Sequence, residues 1–291
     1  LVVLKDVKST IMGKKVIKLE QHDIMYLINQ DKKLRYEVDN SKVKEYFPLN
    51  VVTKGMFGIY ETLFAVKFIK DNKIPAVHKD VQTFSVYDVS SKKTIGYFFL
   101  DLYPREGKYG HAAVFPIIPG RALQDGSYQK PIVGMMCNFA TPTKSTPSLL
   151  SHDEVGTYFH EFGHLVHGIL TKAKFGTHSG TSVQQDFVEA PSQMLENWVW
   201  DEQIINLLSG HYKDPTQKLP KDLLKKMLAA KDHMAGYYNM RQLVLATFDM
   251  TLHTKYNVQR PEKLYAYLVK DLMGISVPED QLFPAGFGHL G

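Results

Sequence analysis

Apolar residues recur at helical spacing near the start of the chain. Ile24, Leu27 and Ile28 stand three and four positions apart, which predicts an amphipathic helix. A second helical stretch is predicted over residues 41–47, where it ends before a proline. We therefore expect residues 1–80 to be helical with short breaks.

The pattern changes between residues 81 and 140, where β-branched and aromatic residues become frequent. Four runs are typical of strands separated by turns, namely residues 83–90, 95–102, 112–118 and 132–139. From residue 148 to residue 291 the spacing is again helical. The expected fold class is mostly α with a small β-sheet (α+β). No linker divides the chain, so a single unit is predicted.

Composition and charge argue against two classes of protein, nucleic-acid-binding proteins and membrane-spanning proteins. The 291 residues are 44% apolar and 22% charged, which is ordinary for a globular protein. The net charge is only +5 and no basic run is present, so we expect no nucleic-acid partner. The most apolar stretch, Met56–Ile69, contains Glu61 and Lys67, so no membrane span is expected. The single cysteine, Cys137, excludes an internal disulfide and suits a reducing compartment.

The segment that contains candidate catalytic residues begins at Ser151. Ser151 and Glu154 form an S-x-x-E capping box, which predicts the start of a helix. Residues His160–His164 then read H-E-x-x-H. On a helix the two histidines lie on one face, one turn apart, so both imidazoles can reach one zinc ion. Glu161 would lie beside the metal, where it can take a proton from zinc-bound water. The alternative is two helix histidines with ordinary surface or core roles.

A catalytic zinc usually has three protein ligands, and spacing alone leaves the third one open. A helix is predicted around Phe187–Trp198, with Pro191 in its first turn and Glu189 at its start. The candidates for the third ligand are Glu189, Glu196, Asp186, His167 and His178. A packing role is favoured for His167. Asp153 and Glu196 each lie seven residues from a candidate ligand and could orient a ligand histidine.

Several segments together resemble the thimet oligopeptidase and neurolysin family of zinc metallopeptidases. They are residues 160–164 (HEFGH), 187–193 (FVEAPSQ), 101–113 (DLYPREGKYGHAA), 45–48 (EYFP), 179–181 (SGT) and 284–290 (PAGFGHL). The resemblance implies that His160, His164 and Glu189 bind Zn²⁺ and that Glu161 is the catalytic carboxylate. It also implies that His289 contacts substrate near the scissile bond.

The same resemblance implies the zincin-like catalytic region of a two-lobed peptidase, whose narrow channel admits only short peptides. Residues 1–291 would then be part of one catalytic metallopeptidase domain, comprising a helical part (1–80), a small sheet (81–140) and a helical zinc-binding part (148–291). We expect a monomer in the cytoplasm, or alternatively in the mitochondrion. The expected function is zinc-dependent endopeptidase cleavage of short peptides by metal-activated water, with Glu161 as general base.

The chain also departs from the family pattern. It begins with Leu1 and stops at Gly291, whereas family members are longer at both ends and continue into a loop with catalytic tyrosines. We therefore expect a fragment that lacks N- and C-terminal parts of the full enzyme. Tyr237 and Tyr238 do not match those tyrosines. The alternative function is a zinc-binding fragment that binds peptides but is catalytically incomplete.

Overall fold

A computed structural model describes residues 1–255 and 257–290, except for the side chain of His289. About half of the chain is helical. No helix in these ranges is both long enough and apolar enough to cross a membrane. The α-helices are α1 (Val2–Met12), α2 (Ile24–Tyr36), α3 (Asn40–Val43), α4 (Leu49–Phe64), α5 (His152–Ile169), α6 (Gln185–Glu196), α7 (Glu202–Leu208), α8 (Lys221–Ala229), α9 (Ala235–Thr254), α10 (Pro261–Met273) and α11 (Phe283–Gly286).

The strands form a small mixed sheet and a short ribbon. In the five-stranded sheet the order is β1-β2-β3-β7-β4, with β3 and β7 parallel and the other neighbours antiparallel. β5 and β6 pair with each other as a separate ribbon. The strands are β1 (Val66–Lys70), β2 (Gln82–Asp88), β3 (Lys93–Asp101), β4 (Ala113–Ile118), β5 (Arg121–Ala122), β6 (Tyr128–Gln129) and β7 (Ile132–Met136). A mostly helical chain with a small sheet is thus confirmed.

The expectation that residues 1–80 are helical is wrong at the end of this range. Helix α4 ends at Phe64, and Ala65 adopts a left-handed backbone conformation with φ of 52°. Residues Val66–Lys70 then pair with β2 over their whole length. The backbone N–H of Phe68 also donates to Oε1 of Glu61 at 2.9 Å. These residues form a strand because they pair with a later segment, and the local spacing of apolar residues cannot indicate that partner.

The described residues fall into two compact units. One unit combines Leu1–Val38 with the residues from Lys225 onward, and the other is the continuous stretch Asp39–Leu224. Assignment of the whole chain to one catalytic domain remains a prediction. In the first unit, α1, α2, α9 and α10 share one apolar core, whose buried members include Leu4, Ile24, Leu27, Phe248 and Val269.

In the continuous unit, an aromatic cluster fixes α5 against the sheet. Phe162 of α5 is fully buried, and its ring centroid lies 5.4 Å from that of Phe57, 5.3 Å from Phe68 and 5.8 Å from Phe98. The hydroxyl of Tyr60 donates to the backbone carbonyl of Phe159 at 2.8 Å. Aromatic pairs at these distances stabilise each other by about 0.5–1.5 kcal/mol beyond their burial. The position of α5 is therefore set by residues from α4, β1 and β3.

A buried cation ties together the ends of β3 and β7. Nζ of Lys108, whose side chain is 2% exposed, donates to the backbone carbonyls of Asp101, Tyr103 and Cys137. The carboxylate of Asp101 also accepts two hydrogen bonds from Arg105, at 2.7 and 2.8 Å. Burial acts to raise the pKa of Asp101, but the hydrogen bonds from Arg105 and Lys108 hold it below its usual value. The folded state therefore stabilises the ionised form of Asp101.

Candidate metal centre

Helix α5 begins where the capping box predicts. Oγ of Ser151 accepts a hydrogen bond from the backbone N–H of Glu154 at 3.2 Å, and the Glu154 carboxylate accepts one from the N–H of Ser151 at 2.7 Å. Two backbone donors that the first turn would leave unpaired are satisfied in this way. The start of α5 therefore determines on which face of the helix each later side chain lies.

The two histidines of the H-E-x-x-H sequence project from the face of α5 opposite its apolar contacts. Nε2 of His160 and Nε2 of His164 lie 3.2 Å apart. On the other side of α5, Phe162, which is two residues from each histidine and therefore about 200° around the helix, is buried against Phe68 of β1. Packing on one face thus directs both imidazoles to the other.

Helix α6 lies close to α5 because Gly163 has no side chain. A Cβ at Gly163 would lie 3.0 Å from Cα of Ser192 and 3.2 Å from Cδ1 of Leu195. The expected position of Pro191 in the first turn is wrong, because α6 begins at Gln185 and Pro191 lies within it. Glu189 is accordingly one turn inside the helix rather than at its start. The predicted start is the first apolar residue of the stripe, Phe187. The observed helix also includes the polar residues Gln185 and Asp186, which the apolar spacing cannot indicate.

Three side chains from α5 and α6 converge on one point. Oε2 of Glu189 lies 3.2 Å from Nε2 of His160 and 3.1 Å from Nε2 of His164. Within the described part of the chain this is the one group of three such residues that could hold a metal ion. Tetrahedral zinc with donors at about 2.0–2.1 Å separates neighbouring donors by about 3.3 Å. The spacing and the nitrogen and oxygen donors of the triad fit zinc.

Glu196 orients the first histidine. Oε1 of Glu196 lies 2.6 Å from Nδ1 of His160. A neutral His160 that donates from Nδ1 keeps the lone pair of Nε2 directed into the triad. The hydrogen bond to Glu196 raises the pKa of His160, whereas burial lowers the pKa of His164. Of the two acids expected to orient a histidine, Asp153 is exposed and makes no such bond within the described residues.

A serine not expected from the sequence supports the third member of the triad. Oγ of Ser192 donates to Oε2 of Glu189 at 2.8 Å and to the backbone carbonyl of Glu189 at 3.0 Å. Ser192 is fully buried. Its spacing of three residues from Glu189 on a helix is the signal that identifies it, because residues i and i+3 are neighbours on a helix surface.

Glu161 is a buried carboxyl next to the triad. Its side chain follows His160 in the sequence, and the residue is only 8% exposed. Burial raises the pKa of Glu161, the electrostatic interaction with His160 lowers it and the negative charge of Glu189 raises it further, with a net upward shift. A carboxylate that holds a proton more tightly than usual is suited to proton transfer near neutral pH.

The other candidate residues lie outside the triad. His167 packs its ring 6.5 Å from that of Phe187, and its buried Nδ1 has no hydrogen-bond partner among the described residues. His178 lies in a one-turn 3₁₀-helix, and Asp186 lies in the first turn of α6. The side chain of His289 lies outside the described residues, so its role near the scissile bond remains a prediction.

Comparison with known proteins identifies the family of this chain. The family model described as peptidase family M3 matches residues 1–291. The chain belongs to peptidase family M3. Among curated relatives of this M3 chain, the thimet-like oligopeptidase of Dictyostelium discoideum is 46% identical over 260 residues, oligopeptidase A of Escherichia coli 37% over 279 and saccharolysin of Saccharomyces cerevisiae 40% over 245.

These alignments cover most of the M3 chain but a minority of each relative. They span 88%, 94% and 82% of the chain, and 38%, 41% and 34% of the respective relatives. The chain thus spans about two fifths of the length of the curated relatives it matches. Membership of a peptidase family is established over this shared part.

Proposed function

We propose that this M3 chain contains the metal centre of a zinc-dependent oligopeptidase that cleaves internal bonds of short peptides. The proposal rests on one observation: His160, His164 and Glu189 bring donor atoms within 3.2 Å of one another, beside the buried carboxyl of Glu161. The relatives, which are named as oligopeptidases, support the same class of activity.

His160, His164 and Glu189 would hold the metal. Bound zinc supplies Lewis acidity, which lowers the pKa of water and polarises a carbonyl oxygen. Glu196 holds the imidazole of His160 through Nδ1, and Ser192 holds the carboxylate of Glu189. These outer contacts keep two of the three donors, those of His160 and Glu189, in place before a metal ion binds, which reduces the reorganisation that binding requires.

Glu161 is the general base in this mechanism. Its carboxylate takes a proton from the attacking water and then gives that proton to the nitrogen of the leaving amine. The raised pKa of Glu161 suits the first step, because the carboxylate is a better proton acceptor than an exposed glutamate. Since water is the nucleophile, no covalent acyl-enzyme forms.

The remaining parts of the proposal concern the whole enzyme. We propose a zincin-like catalytic region in a two-lobed channel peptidase, with His289 contacting the substrate. Short peptides are the proposed substrates, and the proposed form is a monomer in the cytoplasm, with the mitochondrion as the alternative compartment. The single cysteine, Cys137, is buried and supports a reducing compartment.

Hydrolysis of a short internally quenched peptide tests the function. The zinc-loaded chain is assayed with and without a chelator, beside the variants Glu161→Gln and Glu202→Gln. Glu202 is an exposed carboxylate in the first turn of α7 and serves as the matched control. We expect chelator-sensitive cleavage by wild type and by Glu202→Gln, and loss of turnover with full zinc content in Glu161→Gln. A zinc-loaded, folded chain that binds the peptide without cleaving it would instead identify the incomplete fragment.

A further inference from the structure

A cavity of about 330 Å³ adjoins the candidate metal centre. It lies between the first half of α5 and the segment in which α6 ends. Helix α5 contributes Asp153, Thr157 and His160 to its lining, and the other wall includes Glu196 and Trp200. Two of these residues, His160 and Glu196, form the hydrogen bond that orients the metal-binding imidazole. The cavity and the candidate centre therefore share a wall.

The cavity is lined by the stripe of α5 that also carries the two histidines of the triad. Asp153, His160 and His164 are separated by seven and four residues, so they lie along one stripe of the helix. At 1.5 Å per residue, Asp153 lies about 10 Å from His160 along the helix axis. An extended peptide advances about 3.3 Å per residue, so this distance corresponds to three residues. A peptide that runs along α5 with its scissile bond at the triad would thus place a side chain at Asp153.

The charge of the cavity is negative although that of the whole chain is positive. Asp153 and Glu196 are the charged residues of its lining, which contains no lysine or arginine. The chain as a whole has a net charge of +5. Glu196 already accepts the hydrogen bond of His160, whereas the exposed carboxylate of Asp153 makes no hydrogen bond or ion pair with the described residues. One carboxylate is therefore available to a ligand.

We propose that this cavity is the subsite for a lysine or arginine side chain of the peptide, and that Asp153 determines the preference. The proposal rests on the proposed oligopeptidase function. The ammonium or guanidinium group would pair with Asp153, and the aliphatic stem would lie against Val199 and Trp200. The preferred cationic residue lies about three positions from the scissile bond, since that is the span from His160 to Asp153.

Paired peptides that differ in one charge test the preference. Each pair carries either lysine or Nε-acetyl-lysine two, three or four residues from the scissile bond, because acetylation removes the charge and keeps the stem. We expect wild type to cleave the lysine peptide with a kcat/KM about three- to tenfold higher, as for one partly exposed charge-assisted contact. The difference should shrink in high salt, which screens exposed charges.

Variants at Asp153 and a matched control locate the effect. Asp153→Asn should cleave both peptides equally, and Asp153→Lys should instead favour a glutamate peptide. Glu202→Gln also removes an exposed first-turn carboxylate but does not line the cavity, so it should retain the wild-type preference. An Asp153→Asn variant that keeps the full preference for the lysine peptide overturns the proposal.

Binding separates this proposal from the proposed function. Labelled versions of both peptides are titrated into zinc-loaded Glu161→Gln and into the double variant with Asp153→Asn, and the ratio of Kd values is measured by anisotropy. If wild type cleaves nothing but Asp153 still sets the binding ratio, the function fails and the subsite stands. Cleavage without any lysine preference supports the function and overturns the subsite. A chain that neither binds nor cleaves the peptides overturns both.

Discussion

Nδ1 of His160 and Oε1 of Glu196 are 2.6 Å apart, which joins α5 to the end of α6 at the back of the triad. The same imidazole faces Glu189 through Nε2, at 3.2 Å. His160 thus lies between two carboxylates of one helix, of which one contributes to the triad and the other orients it. Such an outer contact fixes the tautomer and increases the basicity of the ligand nitrogen.

Replacing Glu196 should weaken zinc binding while leaving the three donors in place. For Glu196→Gln we expect a loss of about 10- to 100-fold in zinc affinity, because an amide oxygen is a weaker acceptor for Nδ1 of His160. Competition with a chromophoric chelator measures this change. Glu202→Gln should retain wild-type affinity, and an equal loss in both variants would contradict the role of Glu196.

Removal of either of two histidines of α5 should affect zinc content differently. His164→Ala deletes a triad donor, so the chain should no longer retain one equivalent of zinc after dialysis. His167→Ala, one turn further along α5, should keep its zinc, because His167 lies outside the triad. Metal analysis by mass spectrometry compares the two variants, and loss of zinc from His167→Ala would contradict the proposed ligand set.

The contact of α6 with Gly163 should be sensitive to a single methyl group. In Gly163→Ala, the new Cβ would lie 3.0 Å from Cα of Ser192, so α6 must shift. We expect a loss of about 1–3 kcal/mol in the free energy of unfolding and weaker zinc binding, because α6 holds Glu189. Gly156→Ala is the control, since nothing lies within 4 Å of its added Cβ. Urea unfolding should show that the control is no less stable than wild type.

Acid should destabilise the protein partly through Asp101. Its folded-state pKa lies below its unfolded value, so as the pH falls the unfolded chain binds the proton first. The stabilisation is complete above the unfolded pKa of about 4 and is lost as the pH falls through the lower folded pKa. Asp101→Asn should therefore be less stable at neutral pH and lose less stability on acidification. Urea unfolding between neutral and acidic pH checks this, with Asp186→Asn, an exposed site, as control.

Local sequence was sufficient for the first half of the candidate centre. Ser151 and Glu154 make the predicted capping box, and the spacing of His160 and His164 places both on one face of α5. These features depend on contacts within four residues, so their pattern appears in the sequence. Local sequence likewise indicates that α10 begins at Pro261 and ends before Gly274.

Features that depend on packing between elements could not be obtained in this way. Asp153 and Glu196 have the same spacing of seven residues from a candidate ligand, yet only Glu196 contacts an imidazole, because α6 and not the start of α5 faces Nδ1 of His160. The choice requires the approach of the two helices at Gly163, which involves residues far apart in sequence. Strand β1 was missed for a related reason, since its partner β2 lies beyond a loop.

The composition of the first unit has a consequence for biosynthesis. Its core combines Leu4 and Leu27, made early, with Phe248 and Val269, made more than two hundred residues later. During translation the continuous unit, Asp39–Leu224, is complete before these late residues leave the ribosome. The segment that contains α1 and α2 cannot form this core until those later residues are made, while α5 and α6 can already assemble the triad. The nascent chain can therefore assemble the triad of His160, His164 and Glu189 before the core of the first unit is complete.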